Sequence, residues 1–157
     1  MRKKTIAPVV LALAIVLLAV NGYDADVAAK KIVVEIEDFA ITDGKIVEHP
    51  EASNGKAVQP LTLDFTAKKT VKIDRAGEYQ ITLFENAVDG ASDALTLQAG
   101  SGADARVYPD ASNYGKFAPC KKFARFELKE PGDVTIQLFT TNEMGMLLDR
   151  IEIELVN

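Results

Sequence analysis

Three carboxylates at the two ends of the chain have the type and setting to hold a hard cation. Glu35 and Glu37 lie two apart in Val33-Val34-Glu35-Ile36-Glu37-Asp38, and Asp149 lies in Leu147-Leu148-Asp149-Arg150-Ile151-Glu152-Ile153. In a strand, residues two apart share a face, roughly 7 Å apart along the backbone. Glu35 and Glu37 then sit side by side, with Ile32, Val34 and Ile36 on the opposite face. Asp149 has the parity of Ile151, Ile153 and Leu155, the apolar face of the last strand. An acid on an inward face is costly unless paired or metal-bound. Calcium takes roughly six to eight oxygens from carboxylates and carbonyls. If the two end strands pair, the three acids converge on one ion, and Ser53-Asn54-Gly55-Lys56 is the candidate source of further carbonyl ligands. Spacing alone equally fits a plainer arrangement. In that arrangement Glu35 and Glu37 are solvated on a strand face, and Asp149 caps a turn or pairs with a Lys or Arg.

Other reactive residues carry weaker signals. His49 is the only histidine, which excludes His-rich metal sites. Ser53 follows four residues later, but no nucleophile-elbow motif surrounds it. Gly100-Ser101-Gly102 lacks the lysine and following helix of a phosphate loop. Paired acids can serve a glycosidase, yet one small sandwich leaves little room for a deep cleft, and two of the acids sit together near one end. The chain therefore reads as a non-enzyme. Cys120 is the only cysteine, so no intramolecular disulfide forms, and a buried inert thiol is expected.

The elements that must position these residues are strands. Period-two alternation recurs at Lys31–Glu37, Leu61–Phe65, Val71–Ile73, Gly77–Phe84, Leu95–Leu97, Phe123–Leu128, Val134–Leu138 and Arg150–Leu155. Turn signals separate them: Asp43-Gly44, Asn54-Gly55, Ala76-Gly77, Asp89-Gly90, Gly100-Ser101-Gly102 and Pro131-Gly132. This predicts one all-β domain, a β-sandwich or jelly roll. Between Gly100 and Lys122 the pattern breaks into a long loop carrying Tyr108, Tyr114 and Phe117, with a short strand at Ala105–Tyr108. Aromatic loops on a rigid β-scaffold are common binding surfaces.

The N-terminus reads as a signal peptide, residues 1–29. A basic Met1-Arg2-Lys3-Lys4 precedes an apolar run from Ile6 to Val20 that is short for a membrane span. Val27-Ala28-Ala29 suits cleavage after Ala29. Cleavage after Gly22 and a retained N-terminal anchor are the alternatives, and the anchor would be the only membrane contact. No cysteine follows the apolar run, which argues against a lipid anchor. Removing residues 1–29 from the 157 leaves a domain of 128, residues 30–157, with 15 basic and 21 acidic residues and a net charge of −6. That acidity argues against nucleic acid and suits an exported protein, secreted or in the periplasm or envelope, expected as a monomer.

Five segments, in order, resemble carbohydrate-binding modules of families 6 and 35. Val34-Glu35-Ile36-Glu37-Asp38-Phe39 resembles their E-A-E-x opening. Ala52-Ser53-Asn54-Gly55-Lys56-Ala57-Val58 is similar to their small-Gly-Gly-x-Tyr/Val segment, and Arg75–Ile81 to their A-G-x-Y-x-hydrophobic strand. Lys129–Ile136 resembles their x-x-G-x-h-x-I strand, and Leu148–Ile153 their closing L-D-x-I-x-hydrophobic. The resemblance spans about Lys31 to Val156. It implies a galactose-binding-like jelly roll, a structural calcium on Glu35, Glu37 and Asp149, and a polysaccharide or glycan as partner. The departures fall on the ligand site. The chain has no Trp, and Met146 and Leu147 stand where the family often places an Asn. Tyr108, Tyr114 and Asn142 are the expected ligand-binding residues. The rival reading is a structural or adhesive envelope sandwich that has lost sugar binding.

Overall fold

The computed structural model describes residues 31–156, so the expected signal segment, residues 1–29, and its cleavage after Ala29 lie outside the described residues. The strands are β1 (Ile32–Glu35), β2 (Ala40–Thr42), β3 (Gly44–Glu48), β4 (Lys56–Pro60), β5 (Thr66–Ile73) and β6 (Gly77–Asn86). They continue with β7 (Leu95–Ala99), β8 (Ala105–Val107), β9 (Ala118–Pro119), β10 (Ala124–Leu128), β11 (Gly132–Phe139) and β12 (Leu147–Leu155). Short 3₁₀ turns at Ile36–Asp38 and Ala111–Asn113 are the only helical segments among the described residues. None is long and apolar enough to cross a membrane.

The strands form two antiparallel sheets. One runs β10-β6-β12-β4-β3, with β1 also on β12 and β9 also on β6. The other runs β2-β5-β11-β7-β8. Alternation sets the core. Tyr79, Ile81 and Leu83 of β6 and Ile151 and Ile153 of β12 bury from the first sheet. Val71 and Ile73 of β5, Ile136 and Leu138 of β11 and Leu95 and Leu97 of β7 bury from the second. Some of the charged residues on the outer side of the first sheet are paired. Lys31 bridges Glu152 and Glu154, and Arg125 bridges Glu78.

Two expectations fail locally. Leu61–Phe65 is a loop, and the strand lies just before it as β4. A turn closed by the Phe65 amide on the Thr62 carbonyl carries the chain from one sheet to the other. Leu61 and Leu63 are left exposed, while Phe65 enters the core. The first strand also ends early. Glu35 is its last residue, and Glu37 sits in the 3₁₀ turn, so a shared strand face is not what brings Glu37 and Glu35 together.

β12 is the strand that organises the site. One edge pairs along β6 from Leu147 to Leu155. Its other edge pairs with β1 at Arg150–Ile153 and with β4 at Leu148. Asp149 falls at this change of neighbour. The register on β6 also shifts there, Leu148 facing Glu85 and Arg150 facing Phe84. Asp149 is thus the extra residue of a β-bulge, which re-aims a side chain.

Space is tight where β2 turns into β3. A Cβ on Gly44 would stand 2.8 Å from both Ile41 Cγ2 and Phe65 Cε2. Gly44→Ala is expected to lower stability by about 1–3 kcal/mol, read as a fall in urea midpoint at unchanged slope.

Candidate functional site

Strand order and direction bring the important loops to one end of the sandwich. β1 and β6 end where β12 begins, because both run antiparallel to it. β4 also runs antiparallel to β12, Val58 facing Leu148, so the β3–β4 loop lies part-way along β12, beside Asp149 and the end of β1. The connections 87–94, 108–117 and 140–146 gather at the end where β12 begins.

At the seam, Asp149 is fully buried. Its Oδ1 accepts the Ser53 amide at 2.8 Å and the Ser53 hydroxyl at 2.9 Å. Its Oδ2 accepts Arg150 Nη1 at 2.5 Å. The Ser53 hydroxyl stands 2.7 Å from Glu35 Oε2, and Asn54 Nδ2 donates to Glu37 Oε1 at 3.0 Å. The loop tip Ser53-Asn54 thus stitches the three acids together, and Gly55 follows in the left-handed region, φ 71°. Arg150 also bonds Glu152, and its guanidinium lies 3.7 Å from the centre of the Phe84 ring.

The electrostatics of the cluster are unbalanced. Burial, with the charges of Asp149 and Glu37, raises the Glu35 carboxyl above its usual range, against the hydrogen bond from Ser53 and the charge of Arg150. Glu37 Oε2 is buried without a donor. A donor set of only hard oxygens with one unsatisfied suits calcium better than a transition metal. Arg150 supplies part of the missing charge. Among the described residues no three His, Cys, Asp or Glu side chains stand together at metal-ligand spacing. Ser53 and Asn54 link the acids. The plainer expectation, Asp149 paired with an Arg, is also met.

The expected ligand-binding residues meet a second network. The Tyr114 hydroxyl donates to Asp93 Oδ2 at 2.6 Å, and this bond pushes the phenol up to about 12. Gly90 permits the approach, since a Cβ there would lie 2.9 Å from the Tyr114 oxygen. The amides of Asp93 and Ala94 donate to Glu143 Oε2 at 3.2 and 2.9 Å, and Arg106 of β8 pairs with Glu143 Oε1. Asn142, exposed, is next to Glu143 and accepts from the Thr141 hydroxyl. Tyr108 is half-buried, and its carbonyl accepts the Lys121 amide. Tyr114 and Asn142 are therefore joined through Asp93 and Glu143. Phe117 lies edge-on to His49 across the loops at 5.0 Å.

Sequence reasoning missed Glu85, Asp93 and Glu143. Glu85 was legible by parity, sharing the inward face of β6 with Tyr79, Ile81 and Leu83. Asp93 and Glu143 lie in loops, where no period marks them. It also missed an open groove of about 380 Å³ whose lining includes Asp64, Gln98, Asp104, Gln137 and Phe139. Gln98 and Gln137 are register partners on β7 and β11, on the outer face of the second sheet. A larger cleft of about 900 Å³, lined in part by Gly77, Arg125, Phe126 and Lys129, lies at the far end of β6 from the loops.

Asp149→Ala would leave Arg150 and the Ser53 amide without their acceptor. A loss of about 2–4 kcal/mol is expected. Ser53→Ala keeps the amide bond and should cost about 1 kcal/mol. Equal costs for the two variants in urea unfolding would contradict this ranking.

No family model and no curated protein matches the sequence; the likeness is to solved structures. A family 35 carbohydrate-binding module from Clostridium thermocellum superposes with TM-score 0.65 at 11% identity, covering 80% of this chain and 98% of that one. The C-terminal family 6 carbohydrate-binding module of a marine laminarinase from Zobellia galactanivorans superposes at 0.62 and 11%, covering 80% and 99%. An exo-β-1,3-galactanase from Phanerochaete chrysosporium reaches 0.66 at 20%, and there the chain covers 29% of the larger protein. It likewise spans 28% of a β-(1,4)-mannanase from Podospora anserina. The chain has the β-jelly-roll fold of family 6 and family 35 carbohydrate-binding modules.

Proposed function

We propose that this protein is an exported, non-catalytic carbohydrate-binding module that carries a structural calcium. The observation that carries the sugar reading is the groove on the outer face of the second sheet. Gln98 and Gln137 offer amides, Asp64 and Asp104 offer carboxylates, and Phe139 offers a ring beside them. Pyranose rings are recognised by that pairing of an apolar face with a few placed polar groups. The shared fold supports the same reading, since the neighbours matched over nearly their whole length are named as carbohydrate-binding modules. Tyr108, Tyr114 and Asn142 form the second proposed contact, at the loop end.

Glu35, Glu37 and Asp149 would hold the calcium, with the Ser53 hydroxyl as an adjacent oxygen. The ion would offset the burial and neighbouring charges that raise Glu35 and would satisfy Glu37 Oε2. These residues would fix the β3–β4 loop to β12 and keep water from the seam. The role is structural and includes no reaction step.

One observation favours the rival, an adhesive envelope sandwich without sugar binding. The Tyr114 hydroxyl and the Phe117 ring already hold loops together, so neither is free in the way a sugar platform is.

A glycan array on residues 30–157, with calcium present, separates the two. Binding to a polysaccharide is expected, and Phe139→Ala should weaken it about three- to tenfold. Tyr114→Phe should lower thermal stability and leave groove binding intact. No binder at millimolar sugar would favour the adhesive reading.

A further inference from the structure

Glu85 is the one fully buried side chain among the described residues whose two carboxylate oxygens both lack a hydrogen-bond partner. It points inward near the end of β6, with Ala118 of β9 and Leu148 of β12 as its strand neighbours. The titratable groups that act on it are Cys120 from the segment after β9, Asp93 from the β6–β7 loop and Glu143 from the β11–β12 loop. None is a cation. Arg106 is paired with Glu143. The Tyr114 hydroxyl is given to Asp93. The Cys120 thiol lies beside Glu85 and, after burial, is the strongest influence on it, favouring the charged form, without the geometry of a regular hydrogen bond. The neighbouring loops are tied to one another by Asp93, Tyr114 and Glu143 directly around this acid.

We infer that Glu85 is a pH-sensitive keystone of the loop end: uncharged it packs beneath the three loops, and on losing its proton it loosens them. An ionised carboxylate there would have the weak Cys120 thiol as its sole donor, no counter-charge, and two acids near it. Burial, reinforced by Asp93 and Glu143, accordingly holds the carboxyl well above the ordinary glutamate value of 4.5. The folded chain keeps a proton that the unfolded chain releases. Stability is therefore full below the ordinary value and falls as pH rises above it, until the folded-state value is passed. The loss concentrates in 87–94, 108–117 and 140–146, which carry Tyr108, Tyr114 and Asn142. The inference is independent of the calcium and sugar readings.

The test is a carbon-13 titration of the glutamate carboxyls in the wild-type protein, with Glu85 assigned through its own side chain. The Glu85 signal should stay constant through the ordinary carboxylate range and move only at higher pH. Movement with the other acids would overturn the inference. Glu85→Gln, with Glu85→Met as the second variant, should melt higher than wild type at pH 8. The gap should shrink by about 4 °C for each pH unit on acidification towards pH 5. A gap independent of pH in both variants would also overturn it. Amide exchange compared at one pH should show the protection gained by Glu85→Gln in the three loops rather than in β5 or β11.

Discussion

The sandwich depends on how β12 changes partners along one edge. β1 covers the edge from Arg150 onward, and β4 takes over at Leu148. Between them the edge would leave backbone groups and a side chain with no neighbour. The bulge places Asp149 in that gap, and the carboxylate gathers the Ser53 amide, the Ser53 hydroxyl and Arg150. A single buried acid thus fastens a loop, a strand junction and a cation at once. Glu35 and Glu37 extend the same fastening outward through Ser53 and Asn54. A buried charge is tolerated only where its partners are complete, which is why the loop and the bulge have to occur together.

The opposite case stands nearby, on the same end of the molecule. Glu85 has burial equal to that of Asp149 and none of its partners. The two acids mark two ways of handling an inward carboxylate. Asp149 is compensated by Arg150 and the two Ser53 donors, whereas Glu85 is accommodated without a partner. Around Glu85, the polar bonds run between the loops rather than to the acid itself. Three connections between strands are thereby held to one another by Tyr114, Asp93, Glu143 and Arg106.

Much of this was legible in the sequence. Alternation located most strands of the core, and the parity of Asp149 with Ile151 and Ile153 placed it inward. The turn signals at Asp43-Gly44 and Asn54-Gly55 mark backbone turns with positive φ at Asp43 and Gly55. Parity failed for Glu37 because the chain leaves the strand after Glu35, and a 3₁₀ turn of three residues has no period to read. It failed at Leu61–Phe65 because an apolar alternation there serves a crossing between sheets, with Phe65 alone reaching the core. The side-chain role of Ser53 was hidden for another reason. Its partners Glu35 and Asp149 are 18 and 96 residues away, and only the pairing of β1, β4 and β12 brings them near. The groove at Gln98, Gln137 and Phe139 depends on the register of β7 against β11, which no local pattern encodes.

The calcium ion proposed for Glu35, Glu37 and Asp149 is expected to strengthen the seam that Ser53 and Arg150 already close. Calorimetric titration of calcium into the EDTA-stripped domain, paired with thermal melting, tests it most directly. One ion per chain should bind. At a hundredfold excess over its dissociation constant it should stabilise the wild type by about 3 kcal/mol and do nothing for Asp149→Ala. A domain whose melting temperature is unmoved by calcium or EDTA, or whose calcium response survives Asp149→Ala, would contradict the account.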